Sequence, residues 1–162
     1  MKIGVLILCY NNETDLNQQM IEELSAVAKN IKFCFVNNGS TDSTIDKLQI
    51  LKEENESDIT IIDIKINKGE GLAIKAGVRY FFNKINLQYI GFINFKDFNL
   101  KLNFNPLFDL ILDSKDELIA YNSKPARSRK FKRLLIKNVF SLTDFFEYLK
   151  IDLKKEHLKT IA

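Results

Sequence analysis

Four apolar runs, at residues 2–9, 31–36, 59–64 and 89–93, recur at near-even spacing with amphipathic segments between them. Each run is short and nearly unbroken, the signature of a strand covered on both faces. In the first interval Leu16, Met20, Leu24 and Val27 recur at helical spacing, with Ile21 and Ala28 widening the stripe, which predicts a helix over 13–29. Ile45, Leu48 and Leu51 predict a second helix over about 41–54, and a third covers about 72–83. Strands that alternate with helices in this way are joined by right-handed crossovers, so the sheet should be mostly parallel. The expected fold class is α/β, a Rossmann-type sandwich with helices flanking a central sheet.

After Asn94 the order is less regular. Pro106 suits a helix start, with 107–112 as its body. Residues 117–121 read as a fifth strand and 129–142 as a basic helix, followed by a polar tail. A chain of 162 residues with 46% hydrophobic and 28% charged residues is long and apolar enough for one domain with its own core. The net charge of +3 is too small to imply nucleic acid as a partner. Cys9 and Cys34 lie in apolar runs and lack metal-ligand spacing with each other or with His157, which points to buried reduced thiols. No apolar run approaches the roughly 18 residues of a membrane span. The apolar N-terminus runs directly into Tyr10-Asn11-Asn12-Glu13 without a small-residue cleavage site, so it reads as a strand and the expected compartment is cytoplasmic.

Three segments that follow strands carry the chemistry: Tyr10-Asn11-Asn12-Glu13, Val36-Asn37-Asn38-Gly39-Ser40-Thr41-Asp42 and Asn67-Lys68-Gly69-Glu70-Gly71. In a parallel sheet all such loops open on one edge, where α/β folds bind ligands. Asn38 can hydrogen-bond a base edge. Ser40, Thr41 or Asp42 can cap the next helix, whose start favours phosphate. Gly69 and Gly71 allow close backbone approach to a ligand, and Lys68 and Lys75 add positive charge. Ala73, Ala76 and Gly77 give the third helix a small face for close packing. No GxxxxGK is present, and Ile74 stands where a GxGxxG pattern needs its last glycine, so neither a P-loop nor a dinucleotide site fits.

The order of motifs resembles the family 2 glycosyltransferases of GT-A fold. The residues that carry the likeness are VLILCYNNE (5–13), FVNNGSTDST (35–44), NKGEGLAIKAG (67–77) and YIGFINFKD (89–97). The Asn-x-Gly-x-Gly-x-Ala spacing is most similar to the dolichyl- and polyprenyl-phosphate sugar synthases. A looser likeness places 142–150 on that group's Asp-Thr-x-x-Gly-Phe-Arg/Lys segment, with Tyr148 in place of glycine. The resemblance implies a single GT-A-like domain over 1–162, its nucleotide-binding part about 1–97 and its acceptor side about 98–162. It implies a nucleotide sugar held by Tyr10, Asn11, Glu13, Asn38, Gly39, Ser40, Asp42, Asn67, Gly69, Gly71, Lys75 and Asn94. It also implies Asp144 as general base, with Glu147 as a nearby alternative.

Two departures bear on that inference. Asn37-Asn38 stands where the family has two aspartates. Asn94-Phe95-Lys96 occupies the metal-gripping Asp-x-Asp position, with Asp97 one residue beyond. A divalent ion prefers carboxylate oxygens, and a lysine repels it, so no metal cofactor (Mg or Mn) is expected. Either Lys96, with Lys68 or Lys75, replaces the metal as a fixed cationic clamp, or the domain is catalytically degenerate and binds a nucleotide or a protein partner. A scaffold without ligand is the third reading.

Lys124, Arg127, Arg129, Lys130, Lys132, Arg133 and Lys137 surround Phe131, Leu134, Leu135, Val139 and Leu142, with Ile136 and Phe140 alongside. Such a helix either lies on an anionic membrane surface or packs on the sheet with solvated cations. The first option suits a polyprenyl-phosphate or other membrane acceptor contacted by Arg127, Arg129, Arg133 and Lys150, at the inner face of the membrane. Phe145 and Phe146 would extend the same apolar surface.

Overall fold

The computed structural model describes residues 2–27, 31–54, 59–97, 104–123 and 138–150. Its strands are β1 (Ile3–Cys9), β2 (Ile31–Asn38), β3 (Thr60–Ile64), β4 (Tyr89–Asn94) and β5 (Val139–Ser141). Its helices are α1 (Gln18–Val27), α2 (Thr44–Glu54), α3 (Glu70–Lys84), α4 (Phe104–Asp113), α5 (Lys115–Ser123) and α6 (Leu142–Tyr148), and a 3₁₀ turn spans Phe95–Asp97. The strands form one sheet in the order β3-β2-β1-β4-β5, and every pairing is parallel.

The side-chain pattern explains this arrangement. Along β1, Val5, Ile7 and Cys9 join one core cluster while Leu6 and Leu8 join the other, so this central strand is buried on both faces. The chain builds outward from β1 to β2 and β3, then returns to the far side of β1 for β4. Keeping one crossover hand while reversing direction puts the returning helix on the opposite face. Accordingly Ala73, Ile74, Val78 and Phe81 of α3 pack with Leu6, Leu8, Cys34 and Val36. Leu16, just before α1, and Met20, Leu48, Leu51, Phe108, Leu118, Phe145 and Phe146 from the other five helices fill the second layer. The small face of α3 serves close packing: a Cβ at Gly77 would meet Leu6 Cδ2 at 2.7 Å.

Four expectations need correction. Helix α1 begins at Gln18, not at residue 13, because Asn17 Oδ1 accepts the Met20 amide at 3.0 Å and caps it there. Helix α2 likewise begins at Thr44, beyond the three residues expected to open it. Residues 117–121 are helical, not a strand: Leu118 and Tyr121 are buried at helical spacing within α5. Residues 139–141, expected inside a basic helix, form β5 against β4. Val139, Phe140, Leu142, Phe145 and Phe146 are all core residues, so none of them contributes to a membrane-facing surface. The remainder of the basic helix, with Arg127, Arg129 and Arg133, lies outside the described residues. Among the described residues no helix is long and apolar enough to cross a membrane.

Candidate functional site

The reversal of strand order falls between β1 and β4, and the carboxyl ends of strands at such a point open into a crevice. Here the crevice has a volume of about 340 Å³ and is lined by Leu8, Cys9, Tyr10, Asn12, Asn38, Asn67, Glu70, Asn94, Lys96 and Asp97. Residues far apart in the chain, from the ends of β1, β2, β3 and β4, thus share one wall.

The first two loops are locked together by side chains. Asn11, at φ +52°, accepts the Thr41 amide on Oδ1 at 2.9 Å, and its own amide donates to Ser40 Oγ at 3.0 Å. Thr44 Oγ1 accepts the Asn12 amide at 2.8 Å and donates to Asp42 at 2.5 Å. The Glu13 amide donates to Asp42 at 3.1 Å, while the Glu13 carboxylate accepts the Ser43 amide at 3.1 Å. Burial alone would raise the Asp42 carboxyl, but hydrogen bonds from the Thr44 hydroxyl and the Glu13 and Thr44 amides hold it below its ordinary value. Asn37, 2% exposed, donates to Asp63 at 2.8 Å and accepts the Ser40 hydroxyl at 2.5 Å, tying β2 to β3. Gly39, at φ +69°, fits where no side chain could: an added Cβ would lie 2.2 Å from the Asn67 nitrogen. The second loop therefore rests directly on the third.

Within the crevice Lys96 Nζ stands 6.0 Å from the Tyr10 ring centroid, within reach of a cation–π interaction. Asn94 Nδ2 donates to Glu70 Oε1 at 3.2 Å. Burial pushes the Glu70 carboxyl above its ordinary value; the Asn94 hydrogen bond opposes this and the Asp97 carboxylate adds to it. Asn38 Nδ2 donates to Asn67 Oδ1 at 3.4 Å, and the same oxygen accepts the Gly69 amide at 2.9 Å. Asn38 Oδ1 is buried without a partner. Cys9 and Cys34 are free buried thiols on opposite sheet faces. Burial pushes both up, Cys34 to about 12, so neither ionises near neutrality.

Of the residues singled out from sequence, the structure brings Tyr10, Asn38, Asn67, Asn94, Lys96 and Asp97 into the crevice. Asn11, Glu13, Gly39, Ser40 and Asp42 do not line it; all but Gly39 take part in the hydrogen bonds between the first two loops. Gly69 and Gly71 face open space, with nothing within 4 Å of an added Cβ. Lys75 is exposed on α3 and does not line the crevice. Asp144 sits in the first turn of α6, its amide donating to Ser141 Oγ at 3.2 Å. It shares the sheet edge but not the crevice wall. Lys150 lies exposed beyond α6. Asn12 and Glu70 were missed. An acid between two loop glycines was the available signal for Glu70, but its pairing with Asn94 is a tertiary fact.

The profile of Glycosyl transferase family 2 matches residues 4–158. No curated protein matches the chain. Among solved structures, a mannosyltransferase from Pyrobaculum calidifontis in complex with GDP-Man and Mn²⁺ is similar at 18% identity and a TM-score of 0.43. That match covers 48% of this chain and 24% of the other. The residues that the resemblance assigns to the family's metal position are poor ligands for a divalent ion. Asn94 offers a neutral amide already donating to Glu70, Lys96 offers a cation, and among the described residues no three His, Cys, Asp or Glu side chains are grouped to hold one. With the strand order, the switch-point crevice and the profile match in agreement, the chain belongs to glycosyl transferase family 2.

Proposed function

We propose that the crevice binds a nucleotide-diphosphate sugar and transfers its sugar to an acceptor without a divalent metal, Lys96 acting as the cation that stabilises the departing diphosphate. The observation that carries this reading is the position of Lys96: the ammonium stands over Tyr10 at the crevice wall, and in sequence it falls on the segment that the resemblance aligns with the Asp-x-Asp motif. A fixed cation at a developing phosphate charge lowers the barrier in the manner of a metal, though with one charge rather than two. In the reaction the bond between the sugar's anomeric carbon and the diphosphate oxygen breaks as the acceptor oxygen attacks that carbon. The electron pair leaves on the diphosphate, beside Lys96. A hydroxyl acceptor also loses a proton, and the carboxylates lining the crevice, Glu70 and Asp97, are better placed to take it than Asp144. Glu70, raised by burial, lies nearer the range of an effective base.

A lipid-phosphate acceptor needs no such base, since a phosphate with a second pKa near 6 is mostly ionised at neutral pH. That finer reading rests on the cations of 124–137 and on the likeness to the polyprenyl-phosphate branch. The apolar residues 139, 140, 142, 145 and 146 no longer support it, because they are core.

A second reading, nucleotide binding without turnover, is favoured by the missing carboxylate at Asn94. A screen of nucleotide sugars for released nucleoside diphosphate separates the two. Turnover that falls sharply in Lys96→Ala supports the transferase. Binding with no turnover across the screen selects the second reading, and undiminished turnover in Lys96→Ala removes Lys96 from the chemistry.

A further inference from the structure

Between residues 65 and 84 the chain carries five cations, Lys65, Lys68, Lys75, Arg79 and Lys84, and one acid, Glu70. All five cations are exposed, while Glu70 lines the crevice. Among the described residues seven large apolar side chains are exposed, and three of them fall in this same segment: Ile66 at 66%, Leu72 at 47% and Phe82 at 55%. Leu72, Lys75, Arg79 and Phe82 follow one another at intervals of three or four residues along α3, so at about 3.6 residues per turn they share one outward stripe. Ala73, Ile74, Gly77, Val78 and Phe81 lie on the other side and are buried. Leu72 and Phe82 therefore stand about 15 Å apart along the helix, with two cations between them.

We propose that this face of α3 docks on the surface of an anionic lipid bilayer, Leu72 and Phe82 entering the headgroup layer while Lys75 and Arg79 meet lipid phosphates. Charge selects the partner. A helix face with exposed cations and no exposed acid is drawn to an anionic surface. It repels a second copy of itself, because two-fold pairing brings cations onto cations. A nucleic acid would use the cations and leave the exposed Leu72 and Phe82 without a role. A bilayer uses both: the apolar side chains pass the headgroups, and the long Lys and Arg stems lie along them with their charged ends at the phosphates. The helix itself stays packed on the sheet, and only its outer side chains engage. Glu70, two residues before Leu72, lines the crevice, so docking sets the crevice rim beside the bilayer. The docking stands independently of the nucleotide-sugar reading; only the use of that nearness for a lipid-borne acceptor rests on it.

The test is flotation of the full chain, without nucleotide, on vesicles of phosphatidylcholine alone and of phosphatidylcholine mixed with phosphatidylglycerol. The unmodified chain should bind the mixed vesicles far more tightly than the neutral ones, and less so as salt is raised. Each Lys or Arg near an anionic surface is worth about fivefold in partitioning, so Lys75→Gln with Arg79→Gln should lose about 10- to 30-fold. Leu72→Ser with Phe82→Ser should lose about tenfold. Ile50→Ser with Lys52→Gln, exposed on α2 across the sheet, should leave partitioning within about twofold. All the substituted side chains are exposed, so urea midpoints close to that of the unmodified chain separate lost docking from misfolding. No preference for the mixed vesicles in the unmodified chain overturns the inference. So does partitioning that both α3 variants retain, which places the lipid contact elsewhere in the chain. Loss in the cation variant alone overturns the bilayer in favour of a purely ionic partner. A dimer in solution that Leu72→Ser with Phe82→Ser dissociates overturns it in favour of a second copy.

Discussion

Replacing Gly39 with alanine tests whether the second and third loops are built as one unit. The structure gives two separate penalties. At φ +69° an alanine adopts a left-handed conformation, costing about 1–2 kcal/mol. Its Cβ would also lie 2.2 Å from the Asn67 nitrogen and 2.6 Å from the Ile66 carbonyl carbon, both backbone atoms that cannot rotate away. Relieving such overlap by shifting backbone costs about 1–3 kcal/mol more. The sum, about 2–5 kcal/mol, is a large share of the roughly 5–15 kcal/mol that holds a domain folded. With a urea slope of about 2 kcal/mol/M, the midpoint should fall by about 1–2.5 M. Two companions calibrate the result. Gly69→Ala, at φ +93° with open space around it, carries the conformational penalty alone, about 1–3 kcal/mol. Gly71→Ala, in the first turn of α3 and equally open, should be neutral or stabilise by up to about 1 kcal/mol. Urea unfolding of the three variants gives the order directly. A Gly39→Ala protein destabilised by less than about 2 kcal/mol would refute the tight seating of the second loop on Asn67.

The remaining predictions concern the loop lock, the core and the titrating acids. Thr44→Ala leaves the Asn12 amide without its acceptor and should cost about 1–3 kcal/mol in urea unfolding, while Thr44→Ser should retain most of the stability. Phe146→Ala should cost about 3–5 kcal/mol if Phe146 is core, and near zero if it belongs to an exposed membrane face. Because the Glu70 carboxyl is raised in the folded state, the native protein holds its proton to higher pH than the unfolded chain. Stability should therefore rise as pH falls toward the ordinary value of 4.5, and Glu70→Gln should abolish that component. Asp42 and Asp63 act in the opposite sense. Both are lowered, so the stability they supply is present above 3.8 and lost as pH falls further.

What was legible in the sequence followed from burial. Strands covered on both faces are nearly unbroken apolar runs, so β1 to β4 were readable from residue type alone, and parallel pairing follows from their spacing. The convergence of Tyr10, Asn38 and Asn67 was legible for the same reason. The misreadings arose where local pattern is ambiguous. Leu118-Ile119-Ala120-Tyr121 looks like a strand, yet Ser114-x-x-Glu117 before it is a helix-start pattern, and the buried pair is spaced three apart. Val139 and Phe140 continue the helical spacing of the basic stretch, but Asn138, at φ +69°, breaks it and β4 supplies a parallel partner. Much of the expected ligand set also ties the first two loops together, because Asn11, Glu13, Ser40 and Asp42 hydrogen-bond across them. No sequence pattern distinguishes a polar side chain aimed at a ligand from one aimed at the neighbouring loop.

The central claim is that Lys96 does at this crevice what a metal does elsewhere in the family. The direct measurement is UDP binding to the unmodified chain and to Lys96→Ala, each in manganese and in excess chelator. A single ammonium near a diphosphate should be worth about 10- to 100-fold in affinity. The account predicts that loss in Lys96→Ala under both conditions, with the unmodified chain indifferent to manganese. Binding that requires manganese, or that survives Lys96→Ala undiminished, would contradict it.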